Sequence, residues 1–61
     1  MDTNKAREYL DKKIKLFLKN GYKFEGKVLE VNKGVLILND WRSGKTTIDI
    51  SSVSVIFENG R

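Results

Sequence analysis

Sixty-one residues with no cysteine and no histidine allow one domain, exclude a disulfide framework and remove the usual zinc ligands, so neither a metal nor another cofactor is expected. A chain of this size buries only about 60% of the surface its unfolded form exposes, which leaves oligomerisation as the expected source of extra stability. Twelve Lys and Arg against eight Asp and Glu give a net charge of +4, a balance that suits a polyanionic partner such as nucleic acid.

The longest apolar run is four residues, against the roughly 20 a membrane span needs, and the N-terminus lacks the apolar centre of a signal peptide. The expectation is a soluble, cytoplasmic protein with no membrane partner.

In chain order, Thr3 to Asp11 reads as a short helix capped by Thr3 or Asp2, with Ala6, Tyr9 and Leu10 on one face. Too short to stand alone, it is expected to lay Tyr9 and Leu10 on a sheet. Lys12 to Lys19 alternates, with Ile14, Leu16 and Leu18 inward and Lys13, Lys15, Phe17 and Lys19 outward. Phe17, an aromatic on a charged strand face, reads either as an interface residue or as a stacking platform. Asn20-Gly21 predicts a type I′ hairpin turn, which needs positive φ at both central residues.

The second strand, Tyr22 to Val31, holds Gly26 at its middle, where a bend or bulge is expected. A long strand bent there can belong to both halves of a small barrel. Asn32-Lys33-Gly34 turns into Val35 to Asn39, whose run Val35-Leu36-Ile37-Leu38 predicts a strand covered on both faces. Asp40 to Lys45 reads as a hairpin loop, Thr46 to Ile50 as strand four, Ser51-Ser52 as a minimal turn and Val53 to Phe57 as strand five. Strand five carries Val53, Val55 and Phe57 on one face and Ile56 on the other, too apolar for a free edge. The expected fold is mainly β: a single domain over 1–61, with an N-terminal helix in 1–12, a strongly bent five-stranded antiparallel SH3-like small barrel in 13–57, and a frayed tail, 58–61.

The helix, then Ile14, Leu16, Leu18-Lys19-Asn20-Gly21, Phe24, Gly26 and Val28, then Val31-Asn32 and Val35-Leu36-Ile37-Leu38, resembles the first Sm motif of the Sm, LSm and Hfq proteins over about residues 5–57. The gap between Asn32 and the apolar run is similar to that of Hfq. The resemblance implies an Sm-like domain in a closed homo-oligomeric ring of about six or seven subunits, five also being conceivable, that binds single-stranded RNA. Strand four of one chain would pair with strand five of the next.

Carried over by position, the resemblance implies two RNA sites. A pore-side pocket falls on Asn32, Lys33, Gly34 and, past Ile50, Ser51; the family's stacking aromatic and basic pair are absent, and with them the about 1 to 3 kcal/mol that a stacked base supplies. A site on the opposite face falls on Phe17, Leu18, Gly21, Tyr22 and Lys23, next to Glu25, where the family has an amide. The carboxylate there accepts but cannot donate, and it repels phosphate. Trp41, Arg42 and Lys45 read as a stacking and phosphate-binding tip on the ring's rim, or as Trp41 packed on its own hairpin or a neighbour.

Gly44-Lys45-Thr46 lacks the glycine five residues earlier and the following helix of a phosphate-binding loop. With no His or Cys, and with serines 51 and 52 lacking a nearby base, no enzyme is expected. The leading expectation is an Sm-like ring that binds RNA. A ring kept as a protein-interaction or assembly module, its uridine site lost, is the alternative.

Overall fold

The computed structural model describes residues 2–59; of the expected tail, Gly60 and Arg61 lie outside the described residues. The helix α1 (Thr3–Arg7) is followed by strands β1 (Lys13–Leu18), β2 (Lys23–Asn32), β3 (Val35–Asp40) and β4 (Gly44–Asp49), a 3₁₀ turn (Ile50–Ser52) and β5 (Val53–Glu58). All pairings are antiparallel, and the sheet order is β4-β3-β2-β1-β5. The sheet is open, with β4 and β5 at its two edges. Among the described residues no helix is long and apolar enough to cross a membrane.

α1 is shorter than its apolar spacing predicts. Asp2 caps it, accepting from the Lys5 amide at 2.8 Å, whereas the Thr3 hydroxyl accepts from the Gly34 amide at 2.9 Å and ties the helix to the β2–β3 turn. Beyond Arg7 the chain tightens into i→i+3 bonds, Asp11 turns left-handed at φ 66° and its amide donates to the Val28 carbonyl. That backbone bond to β2 ends the helix early. Ala6 is buried and Tyr9 packs on the core, but Leu10 is exposed rather than laid on the sheet.

The first hairpin turn is also not the expected type I′. Only Gly21 has positive φ, at 94°; its amide donates to the Leu18 carbonyl, and the Asn20 side chain accepts from the Tyr22 amide. This is a three-residue loop, a turn followed by a left-handed glycine. A two-residue loop would set Leu18 against Lys23 and Ile14 against Lys27, matching core positions to solvent positions. The extra residue gives Leu16 opposite Phe24 and Ile14 opposite Gly26 instead. The turn with positive φ at both positions is the next one, at Lys33 and Gly34.

β2 belongs to two hairpins: Lys23–Lys27 pair with β1 and Gly26–Asn32 with β3. Its bulge lies at Leu29, between the Val28–Leu38 and Glu30–Ile37 pairs, rather than at Gly26. The extra residue leaves Leu29 exposed and brings Val31 onto the core with Val28. Gly26 serves a different purpose, since a Cβ there would sit 2.7 Å from the Asn39 carbonyl carbon. A second bulge at Ser54, between the Phe17–Val55 and Leu18–Val53 pairs, turns Val53 and Ile56 inward and leaves Val55 and Phe57 outward. That corrects the expected grouping of Val53 with Val55 and Phe57.

Ala6, Ile14, Leu16, Val28, Leu36, Leu38, Ile48, Ile50 and Val53 form the core, each large aliphatic contributing about 1.5–3 kcal/mol on burial. β3 is fully covered on one face, where Leu36 and Leu38 are buried, and only partly on the other, where Val35 and Ile37 are half-buried. We predict that Gly26→Ala, which drives a methyl into the β3 backbone, lowers stability by about 3 kcal/mol or leaves the chain unfolded. A urea denaturation midpoint within error of the parent protein's would refute this.

Candidate nucleic-acid interface

Directly opposed residues of an antiparallel ladder project from the same face, so the register composes the outer surface row by row. The first row runs Val55, Phe17, Lys23, and the second Phe57, Lys15, Glu25. The third crosses four strands as Lys13, Lys27, Asn39 and Lys45, and the Asn59 amide, donating to the Lys13 carbonyl at 2.8 Å, extends it past β5. Lysines and aromatics share this face with a single acidic side chain among these positions, Glu25.

Beside the third row lies an open groove of about 600 Å³ lined by Lys13, Glu25, Lys27, Asn39, Trp41 and Asn59. Glu25 accepts a hydrogen bond from the Asn59 side-chain amide. Lys13 and Lys27 face each other across the strands, an arrangement that costs stability, and the one ion pair among the described residues joins other groups, Lys12 and Glu58, at 3.6 Å. The groove therefore places two lysines beside one carboxylate, Glu25, which is hydrogen-bonded to Asn59 and ion-paired with neither lysine among the described residues.

Trp41 reaches the groove because Asp40 fixes the loop that carries it. Asp40 is buried at 2% exposure. One carboxylate oxygen accepts from the Arg42 and Ser43 amides at 2.8 and 3.1 Å, and the other accepts from the Glu25 amide of β2 at 3.1 Å. Burial works against its ionisation, but these backbone bonds and the Ser43 side chain outweigh it and hold the carboxyl below its ordinary value of 3.8. Gly44 closes the hairpin at φ 79°. Trp41, 73% exposed, carries the Arg42 guanidinium 5.6 Å from its ring centroid, within cation–π range.

The sequence-predicted positions are distributed over three places. On the outer face, Phe17 is half-buried with its ring centroid 6.3 Å from that of Phe57, an aromatic-pair distance, and Lys23 stands opposite it. Tyr22 and Gly21 lie exposed at the hairpin loop, while Leu18 packs on the core. Asn32, Lys33 and Gly34 form the β2–β3 turn, and the Ile50 amide donates to the Gly34 carbonyl at 2.9 Å, bringing that turn beside Ser51. There the Ser51 hydroxyl and amide both donate to Asp49, whose carboxyl they hold below its ordinary value. Trp41 and Arg42 occupy the β3–β4 loop, and Lys45 joins the long row.

Lys13, Lys27, Asn39 and Asn59 are the residues that sequence reasoning missed. Their signal is the register: pairing Ile14 with Gly26 sets Lys13 against Lys27. No family model, curated protein or solved structure matches the chain.

Because its carboxyl is more acidic when folded, Asp40 contributes stability that is present above the unfolded value of 3.8 and lost as pH falls through the folded one. Asp40→Asn would turn an N–H group toward either the Glu25 amide or the Arg42 and Ser43 amides. The variant is expected to be less stable at neutral pH by about 1–3 kcal/mol and to lose less further stability than the parent between about pH 5 and pH 2. Urea midpoints across that range check both, and parallel curves would refute the assignment.

Proposed function

We propose that this chain is an Sm-like subunit that closes into a homo-oligomeric ring of about six or seven copies, through β4 of one copy and β5 of the next, and holds single-stranded RNA. The observation that carries the reading is the sheet order, which leaves β4 and β5, the strands such a ring would join, as the two free edges. β5 is poorly suited to solvent, with Val55 and Phe57 46% and 45% exposed. Edges of this kind invite pairing. An N-terminal helix and a ten-residue β2 that is shared by two hairpins and carries a bulge support this reading, since a bent SH3-like small barrel would need such a strand.

RNA binding is supported by the charge of +4 and by lysines interleaved with aromatics on one sheet face, the combination that holds single strands through phosphate contacts and base stacking. A ring multiplies shallow sites: each subunit contributes a weak contact, and the tethered copies bind as one. A second reading, a ring whose partner is a protein, is favoured at the pore-side turns, where the Asp49 carboxylate stands beside Ser51 and no aromatic is offered.

Light scattering on the purified protein is expected to give six or seven times the chain mass, and Val55→Lys with Phe57→Lys is expected to lower it. Oligo-A, oligo-U and mixed RNA of about ten nucleotides are expected to bind saturably at low salt. A monomer mass would overturn the ring; an oligomer that binds none of the three RNAs would transfer the function to the protein-partner reading.

A further inference from the structure

We propose that the RNA backbone runs across the strands, with its phosphates on Lys13, Lys27 and Lys45 and a base stacked on Trp41 in the adjoining groove, an inference that rests on the RNA reading above. Four observations converge on it. The three lysines and Asn39 lie in one cross-strand row, so their backbone positions advance by about 4.8 Å per strand. All are exposed, and none is ion-paired among the described residues. Lys13 and Lys27 are held face to face, a like-charge contact that an anion lying between them would relieve. The groove they line, at about 600 Å³, also carries an exposed indole.

The chemistry favours a single-stranded nucleic acid over a compact anion. A row of separated ammonium groups, each a point charge without fork geometry, matches a chain of repeated phosphates. The indole gives a π-face that any base can use. The side-chain amides of Asn39 and Asn59 can donate and accept at a base edge, although Asn59 is engaged with Glu25. Glu25 opposes the ligand, since its carboxylate lies in the same groove.

Ring closure would lengthen the track. Lys45 stands near the start of β4 and Asn59 just past the end of β5. Antiparallel pairing of those strands between copies sets the start of one near the end of the other, so the row of each subunit runs toward the row of the next.

The test compares the parent protein with Lys13→Ala/Lys27→Ala/Lys45→Ala, Trp41→Ala, Glu25→Gln and, on the exposed side of α1, Lys5→Ala. Binding of oligo-A, oligo-U and mixed RNA is measured at several salt concentrations, with circular dichroism and oligomer mass checked for each variant. The triple variant is expected to bind all three RNAs about tenfold or more weaker and to reduce the slope of log affinity against log salt by about 2, from about 0.7 per single-strand phosphate contact. Trp41→Ala is expected to weaken binding about tenfold with the slope unchanged, Glu25→Gln to strengthen it, and Lys5→Ala to leave it intact. If the parent binds RNA and the triple variant keeps both affinity and slope, the backbone path is overturned and RNA binding stands. If the parent binds no RNA, both fall together.

Discussion

The architecture depends on β2 serving two neighbours at once. At Gly26 and Lys27 the same residues pair with β1 on one side and β3 on the other, and the sheet can continue through that point only because Gly26 has no Cβ to meet the Asn39 carbonyl. Asp40, opposite Gly26, then reaches back to the Glu25 amide. This joins a backbone approach to a charge-assisted hydrogen bond, roughly twice as strong as a neutral one. The β3–β4 loop is therefore held to the centre of the sheet rather than left to its own turn energetics, and Trp41 inherits a fixed position from it.

The same junction organises the charge. Lys27 is the residue next to Gly26, so the place where three strands meet is also where the lysine row crosses β2. A protein selected only for stability gains nothing from Lys13 opposite Lys27 when carboxylates are available elsewhere, and a Lys–Glu pair in that position would be favourable by a few tenths of a kcal/mol or more. Glu25 is one step along β2 on the same face, but its hydrogen bond is with Asn59. Two facing lysines beside an exposed indole, with Glu25 engaged by Asn59, are a local cost that a bound anion would offset.

Much of the fold was legible in the sequence. Alternation assigned the faces of β1, the run at Val35 located β3, and the turn residues located three hairpins. What alternation cannot supply is register, because register depends on loop length and bulges, each a matter of one residue. Asn20-Gly21 reads as a two-residue turn, yet Gly21 alone takes the left-handed conformation, and the resulting third loop residue decides which lysines face each other. The bulges at Leu29 and Ser54 are equally silent in the sequence, since neither residue is a glycine; they arise because Val31 and Val53 reach the core only if the ladder slips there. The α1 boundary was misplaced for a related reason: a tertiary bond from Asp11 to Val28 overrides the local apolar spacing.

This difference between face and register also explains how the candidate site divides. Phe17, Trp41 and Lys45 could be singled out individually, because an aromatic among lysines or a basic loop tip is a local signal. Lys13 and Lys27 could not, because thirteen residues of sequence lie between a pair that only the hairpin makes adjacent. The β2–β3 turn and the neighbouring 3₁₀ turn give the converse case. Their spacing is conspicuous in the sequence, and the Ile50–Gly34 bond does bring them together, but the side chains assembled there are a lysine, amide and hydroxyl groups and the Asp49 carboxylate, with no aromatic surface. Spacing fixes where a turn falls; the chemistry available to a ligand depends on which side chains occupy it. On that criterion the outer face, with its lysine row and indole, is the better equipped of the two for a nucleic-acid strand.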